Sequence, residues 1–530
     1  MRTATVPEHH GAAASGRLGQ YGGMQGGAQG DILLLAGRTD PTAPAVDDGR
    51  NSVSWAELES RARRAANALL SAGVSAVRPW ALLSHNRVEW VELWLANTMA
   101  GARYVPLNWH LTAPELAYLL TNSGSVLLVV EAGLETVARE AAALASLDGA
   151  HVVLIDEGYA QWRDRHPDTR PDNNTAGAAL QYTGGTTGAS KGVVRPDQGL
   201  PLDRWGAGMA AWGGFVRMPE QGRMLVTTPL YHAFGAGVLG AALNRGHSLV
   251  LRDRFDTDDF LDTVQRETIT SAPLVPTLMV RLAKLDDSAF SGRDLSSLRW
   301  VCHTAAPCPA WAKQRLIDLL GPVVVEFYGS SEGTGPVVCT SEEWMARPGT
   351  VGRPNPTLEV SVVDDDGKDL PAGEVGTLYF RRADGAPSYH GDEEKTNAAR
   401  LPDGRFTVGD LGYVDSDGFV YLVDRRVDLI LSGGVNVYPA EIEATISRHP
   451  AIRDVAVFGI PDPEFGQQVK AAVELEPGAS LTADELTAWC RDRLAGFKCP
   501  RSVDFHAALP REAHGKLKKR ILRDAYWPTA

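Results

Sequence analysis

Cysteine is scarce in this chain. Five are present, Cys302, Cys308, Cys339, Cys490 and Cys499, odd in number and with no Cys-x-x-Cys pair. That pattern excludes a disulfide framework and a cysteine zinc site, and it fits a reducing compartment. Long apolar runs are also missing. Stretches such as Val126–Val130 fall far short of the ~20 residues a membrane helix needs, and the N-terminus lacks the basic-then-apolar pattern of a leader. A soluble, cytoplasmic protein without a membrane partner is the expectation. Positive charge is in deficit as well: 52 Lys+Arg stand against 65 Asp+Glu, a formal net charge of −13. This argues against a nucleic-acid partner. The basic run Lys516-Leu517-Lys518-Lys519-Arg520 is the local exception, and by charge alone it reads as a solvated face.

What is present is an ordinary globular composition, 44% hydrophobic and 22% charged, in 530 residues. That length exceeds what one hydrophobic core usually organises, so more than one domain is expected. Residues 1–30 are rich in Gly and Ala without hydrophobic periodicity and read as a flexible tail. Apolar positions from Ser54 to Leu70 recur at helical spacing, and Ser54 with Glu57 forms a capping box. Asn86–Met99 repeats the pattern, and Gly101–Leu107 reads as a turn and strand. Val126–Val130 and Val152–Ile155 read as buried strands. Such alternation predicts an α/β architecture with largely parallel sheets. Between residues 358 and 425, turn clusters such as Asp364-Asp365-Asp366-Gly367 and Asp415-Ser416-Asp417-Gly418 separate alternating apolar runs and predict antiparallel hairpins. A new βα pattern begins after Arg425, with a hinge expected at Asp424–Asp428. The expected division is a large domain over 31–424 and a small one over 425–530.

The densest chemistry lies in Tyr182-Thr183-Gly184-Gly185-Thr186-Thr187-Gly188-Ala189-Ser190-Lys191-Gly192. Glycines let a turn expose its N–H groups, while hydroxyls and an ammonium complete a cradle for phosphate oxygens. The order Ser190-Lys191-Gly192 departs from the P-loop pattern, which excludes that class of nucleotide hydrolase. Further clusters follow downstream. They are Pro229-Leu230-Tyr231-His232-Ala233-Phe234-Gly235, Glu326-Phe327-Tyr328-Gly329-Ser330-Ser331-Glu332-Gly333, and Thr407-Val408-Gly409-Asp410-Leu411-Gly412. Asp424-Arg425 leads into Ser432-Gly433-Gly434-Val435-Asn436-Val437-Tyr438-Pro439, and Pro510–Lys516 closes the series.

Taken in this order, the clusters resemble the adenylate-forming superfamily of acyl-CoA synthetases, amino-acid adenylation domains and luciferases, over roughly Ser54 to the C-terminus. His303–Pro309, Thr340–Trp344 and Arg523–Trp527 are most similar to bacterial fatty-acyl and bile-acid type CoA ligases. The resemblance implies two α/β-layered sheets plus a small β-barrel-like part in the large domain, and a small mobile α+β C-terminal domain. It implies an ATP- and Mg²⁺-dependent reaction in which a carboxylate forms an acyl-adenylate and CoA then displaces AMP. On this resemblance Thr183, Gly184, Gly185, Thr186, Thr187, Gly188 and Lys191 close over the phosphates, and Glu332 helps hold Mg²⁺. Tyr328 stacks on adenine, with Gly329 beside it and Ala305 and Ala306 lining the other side. Ser331 keeps a phosphate-binding hydroxyl. Asp410 and Arg425 hold the ribose, and Lys516 reaches the α-phosphate and acyl oxygens. Ser432, Gly433 and Gly434 flank the route of CoA. His232 either orients the carboxylate or forms a wall that moves when CoA binds. The helical stretch Leu202–Val216 reads as a core-facing stripe or as a lining of the acyl pocket. A homodimer is common among such proteins.

The chain departs from the family pattern in places. Gly184 stands where a serine is common, Ser190 where a proline is common, and Val427 where Asp or Lys is usual at the hinge. These departures leave two rival readings open: an adenylating enzyme with a carrier protein, an amine or nitrite in place of the CoA-linked chemistry, and a catalytically silent nucleotide-binding protein.

Overall fold

The computed structural model describes residues 40–183, 190–195, 199–432, 435–511 and 517–527. The expected N-terminal tail, 1–30, lies outside them. Four sheets organise the described chain. The largest has thirteen strands. Its heart is a parallel block formed by Pro44–Asp47, His247–Leu251, Gly222–Val226, Ser271–Leu274, Trp300–His303 and Val324–Tyr328, in that spatial order. An antiparallel extension follows through Val337–Cys339, Thr350–Pro354, Val420–Arg425, Asp410–Val414, Gly376–Arg382 and Leu358–Val363. The hairpins expected over 358–425 are therefore present, and they continue the large sheet through Thr350–Pro354.

A second, all-parallel sheet runs Val152–Leu154, Leu128–Val130, Trp80–Leu83, Arg103–Pro106 and Ala178–Ala179. Val152–Leu154 was expected to be buried. It is half-buried because it forms an edge of this sheet and has a neighbour on one side only. Helix Trp55–Ser71 starts at the predicted Ser54–Glu57 capping box, which satisfies N–H groups that the first turn leaves unbonded. Helix Val88–Ala100 is buried along nearly its whole length. One apolar core contains side chains of both helices and of both parallel sheets, among them Trp80, Leu82 and Tyr104 on one side and Met224, Val226 and Leu249 on the other. A helix that is apolar all round belongs in such a two-sided setting. Of its two acids, Glu89 pairs with Arg87 at 2.7 Å, and Glu92 is fully buried and is satisfied by the Tyr159 hydroxyl at 2.5 Å and the Arg163 guanidinium at 3.1 Å.

The carboxyl ends of the two parallel sheets meet. Asn86, just past Trp80–Leu83, donates to the carbonyls of Thr228 (3.0 Å) and Arg252 (3.1 Å) and accepts from the Leu230 N–H (2.9 Å). One buried amide thus fixes the loop that carries Tyr231 and His232. Beside it, Glu131 accepts from the His85 backbone N–H (2.9 Å) and ring Nδ1 (3.0 Å). Burial by itself would raise this carboxyl. Those hydrogen bonds, with the charges of His85 and Arg87, instead lower it to about 2.

A small antiparallel sheet, Val435–Val437, Ile430–Ser432, Gly466–Leu475 and Ile452–Asp462, with Ser502–His506 parallel to Gly466–Leu475, forms the C-terminal part around its own apolar core. It meets the rest through Asp424, which accepts from the Ala440 N–H at 3.1 Å, and through Trp311, whose indole donates to Ser447 Oγ at 3.3 Å. Val427 is exposed. Among the described residues no helix is long and apolar enough to cross a membrane.

Because the folded-state value of Glu131 lies below its ordinary 4.5, its contribution is complete above about pH 5 and is lost as the pH falls towards 2. Glu131→Gln is expected to cost about 1–2 kcal/mol at pH 7 after allowance for solvent screening. The difference in Tm from the wild type should narrow between pH 5 and 3.5, as read by circular dichroism. A gap that is independent of pH would refute this account.

Candidate active site

The expected site residues gather where the parallel block passes into its antiparallel extension. Tyr328 ends the strand Val324–Tyr328 and is 9% exposed. Its hydroxyl donates to Asp410 Oδ2 at 2.6 Å. Asp410 and Arg425 are direct cross-strand partners in the hairpin Asp410–Val414/Val420–Arg425, and Arg425 Nε lies 3.2 Å from Asp410 Oδ1. Cross-strand register therefore explains why an acid and a base fifteen positions apart in sequence share one contact. Burial, and then the charge of Asp410, raise the Tyr328 phenol well above its ordinary value, so it remains a donor. The backbone is tight here: a Cβ on Gly329 would sit 2.8 Å from the Phe327 ring, and one on Gly335 2.4 Å from the Tyr328 carbonyl.

Ala305 and Ala306 follow Trp300–His303, the parallel neighbour of Val324–Tyr328, so their loop emerges beside Tyr328. Ala305 is exposed and holds φ +81°, a left-handed conformation that costs an L-residue on the order of 1–2 kcal/mol. Beneath the loop lies a buried ion pair. Lys313 Nζ is 2.7 Å from Glu326 Oε2, on the same strand as Tyr328. Burial would raise the Glu326 carboxyl, but Lys313, and then His303, hold it below the ordinary range. Burial also drives the fully buried His303 down to about 4.

A second group adjoins the first. Lys191 opens the strand Lys191–Val194 and is the register partner of Thr183. These two residues therefore stand side by side at the ends of 184–189, and Gly184, Gly185, Thr186, Thr187 and Gly188 lie outside the described residues. Lys191 Nζ sits 5.0 Å from the centre of the Tyr389 ring, and the Tyr389 hydroxyl donates to Glu332 Oε1 at 3.2 Å. Burial, and then the neighbouring Lys395, pull the Lys191 ammonium down to about 8. The charge of Glu332 reaches Arg425, which links the two groups. The Ser331 carbonyl accepts from Arg195 Nε at 2.8 Å.

His232 occupies the N-cap of helix Ala233–Asn244, its ring 4.1 Å from that of Tyr231. Phe234 in the next turn lies 5.7 Å from Phe327, and Trp212 meets Phe327 edge-on at 5.6 Å. Most of helix Leu202–Phe215 is half-buried or exposed. Trp205 approaches Trp94 at 5.6 Å, and only Leu202 and Gly213 are fully buried. Ser432 belongs instead to the small C-terminal sheet, paired with Val435 and Gly466. Gly433, Gly434 and Lys516 lie outside the described residues. Sequence reasoning missed Tyr389 and Asn86. Neither sits in a compositionally unusual stretch, and only the pairing of Tyr389 with Val193 brings its segment to Lys191.

This arrangement offers a buried acceptor flanked by two donors beside a cationic, carboxylate-bearing surface, which suits a ribose next to a chain of phosphates. Residues 35–390 match the AMP-binding enzyme family, and residues 441–516 match the AMP-binding enzyme C-terminal domain. The chain belongs to the AMP-binding enzyme family. The expected adenylate-forming, acyl-CoA synthetase-like identity is borne out, as is the expected large α/β part with several sheets followed by a smaller C-terminal one. Within the family the chain is similar to a feruloyl-CoA synthase of an Amycolatopsis species, 35% identical over 489 residues that cover 92% of this chain and 96% of that protein. It is also similar to the fatty acid–[acyl-carrier-protein] ligase ScoC of Streptomyces coeruleorubidus, 30% identical over 92% of this chain and 94% of that one. The ATP-bound crystal structure of MatB from Rhodopseudomonas palustris superposes with a TM-score of 0.79 at 30% identity, covering 92% of this chain and 96% of that one.

Removing one member of a buried ion pair leaves an uncompensated charge. Lys313→Met is accordingly expected to destabilise the protein by about 3–5 kcal/mol. The paired change Lys313→Met with Glu326→Leu should recover most of that loss in thermal denaturation. Failure of the double variant to recover would refute the charge account.

Proposed function

We propose that the chain activates an apolar, ring-bearing carboxylic acid, with the residues gathered around Tyr328 and Lys191 as the adenylation centre. The overall reaction is ATP-dependent, AMP-forming carboxylate–CoA ligation. A carboxylate oxygen attacks the α-phosphorus, the bond to the bridging oxygen breaks, and pyrophosphate leaves with the electron pair. The thiol of CoA then attacks the acyl carbon and AMP departs. Such chemistry asks for positioned donors and cations at shifting oxyanions more than for covalent catalysis.

The single observation that carries the reading is the Tyr328–Asp410–Arg425 contact adjoining Lys191 and Glu332. Asp410 accepts from the ribose hydroxyls, and Arg425 donates to the same sugar. Tyr328 and Gly329 bound adenine on one side, Ala305 and Ala306 on the other. Lys191, Thr183 and the glycine loop hold the β- and γ-phosphates, with Ser331 beside them. Glu332 suits Mg²⁺, which keeps waters and takes one or two carboxylates together with phosphate oxygens. When bound, that ion neutralises charge on the triphosphate. We take the aromatic side chains of Trp205, Trp212, Phe234 and Phe327 as the walls of the acid pocket, which favours a ring-bearing acid. His232 closes the near end of this pocket. Lys516, from a small C-terminal domain running 425–530, stabilises charge at the α-phosphate as pyrophosphate leaves. Ser432, Gly433 and Gly434 flank the CoA route.

ATP–pyrophosphate exchange across aliphatic, aryl and polycyclic acids and nitrite tests the acid. Exchange should be strongest with aryl or fused-ring acids, and exchange with nitrite alone would overturn the reading. Adding CoA should then yield a thioester. Lys516→Ala should lower adenylate formation at least a hundredfold, while thioester formation from a supplied acyl-adenylate is spared. Equal loss of both half-reactions would refute that division of labour.

A further inference from the structure

Among the described residues, none of the apolar core clusters contains side chains of both the large part and the C-terminal sheet. No shared core fixes the orientation of one against the other, which leaves polar contacts to specify it. Away from the entry at Asp424–Asp428, these gather on one face. Lys284, the residue that ends helix Pro276–Ala283, directs its Nζ to the Ile452 carbonyl at 2.8 Å and to the Glu476 carboxylate. Trp311, in the first turn of helix Ala310–Leu320, donates its indole N–H to Ser447 Oγ at 3.3 Å.

Both sides of this face are stiff. Arg315, one turn after Trp311, donates to the carbonyls of Ala283 (2.7 Å) and Leu285 (2.8 Å), the two neighbours of Lys284. The backbone that carries the lysine is thereby tied to the helix that carries the tryptophan. On the opposite side the Glu476 N–H donates to the Ala451 carbonyl at 3.0 Å, and His449 Nδ1 accepts from the Ala451 N–H at 3.1 Å. The His449 ring meets Trp489 edge-on at 4.7 Å. Hydrogen bonds are directional, so donors and acceptors preset in this way select one orientation. Half-exposed polar contacts are also weak enough to exchange with water, and an interface without a shared core leaves its two parts free to move.

We propose that Lys284 and Trp311 are positioning residues that seat the C-terminal part for one of the two half-reactions, and so set the ratio of adenylation to thioester formation. The inference rests on the two-step ligation reading given above. There the C-terminal part brings Lys516 to the first step and Ser432, Gly433 and Gly434 to the second, serving the same acyl group in turn. A contact that favours one seat slows departure from it. Lys284 and Trp311 make and break no bond, transfer no proton, and have no place in the adenylation centre itself.

The test uses the full-length enzyme with Lys284→Met, Lys284→Arg and Trp311→Phe. Adenylation is read by ATP–pyrophosphate exchange, and thioester formation by adding CoA to a supplied acyl-adenylate. The seat itself is read by the rate of tryptic cleavage after Arg426, an exposed residue of the linking segment. Lys284→Met should change the ratio of the two half-reaction rates about three- to tenfold, the weight of one half-exposed charge-assisted contact. Cleavage should quicken by a similar factor while the Tm stays unchanged. Trp311→Phe should move the ratio in the same direction, and Lys284→Arg should hold it within about twofold of the wild type. An unchanged ratio in Lys284→Met would overturn the proposal. So would an equal loss of both half-reactions with a fall in Tm that arginine does not rescue. A wild-type enzyme that exchanges pyrophosphate with no acid would refute the ligation reading itself, while the tryptic rates of the same variants would still decide whether Lys284 and Trp311 seat the C-terminal part.

Discussion

One buried carboxylate joins the parts of this molecule. Asp410 accepts from Tyr328 at the end of a parallel strand and from Arg425 at the end of an antiparallel one. The first strand belongs to the doubly packed α/β block, and the second leads directly into the C-terminal sheet. A buried charge is tolerated only when its lone pairs are engaged by well-placed donors, so the register of the hairpin, the end of the parallel strand and the entry to the C-terminal part are specified together. In the proposed reading the same carboxylate also receives the ribose hydroxyls, so that structural and binding roles share one set of atoms, as in other fully connected polar networks.

Around this centre charge is arranged in two places. Near the Ala305 loop a buried pair, Lys313 and Glu326, cancels itself. At the other end the cation, Lys191, and the acid, Glu332, meet through Tyr389. In the proposed reading the first place supports a planar base and the second meets a triphosphate. The tyrosine ring of Tyr389 bridges the second pair, with its face toward Lys191 and its hydroxyl on Glu332. Ring faces attract cations while the phenol O–H serves an anion, so one side chain keeps a base and an acid apart at a defined spacing.

Among the described residues the second parallel sheet contributes no side chain to this centre, yet it positions the loop that the proposed reading places beside the acid. Asn86 stitches its carboxyl end to the loop bearing Tyr231 and His232. Helix Ala233–Asn244 then presents Phe234 to Phe327. In the proposed reading the acid pocket is therefore bounded by elements of both layers, and a change in how the sheets pack would alter its shape without touching Tyr328, Asp410 or Arg425.

Much of this was legible in the residues themselves. The Ser54–Glu57 capping box, the helices it and Asn86 precede, the alternation of strands and helices, and the turn-rich hairpins follow from local periodicity and turn chemistry, which act over a few residues and need no partner. The motif series brought out Lys191, Tyr328, Glu332, Asp410 and Arg425, because glycine, hydroxyl and charge crowded into short stretches leave a compositional mark. Other features were set only by tertiary structure. Strand order made Val152–Leu154 an edge and so half-buried, and the antiparallel part became an extension of the main sheet. Cross-strand pairing placed Asp410 on Arg425 and carried Tyr389 to Lys191 across some two hundred positions of chain. Local sequence fixes which chemistry is available, since propensity and capping are short-range effects. Which side chains meet is decided by the burial of both sheets around shared helices, a long-range balance that no single stretch of residues encodes.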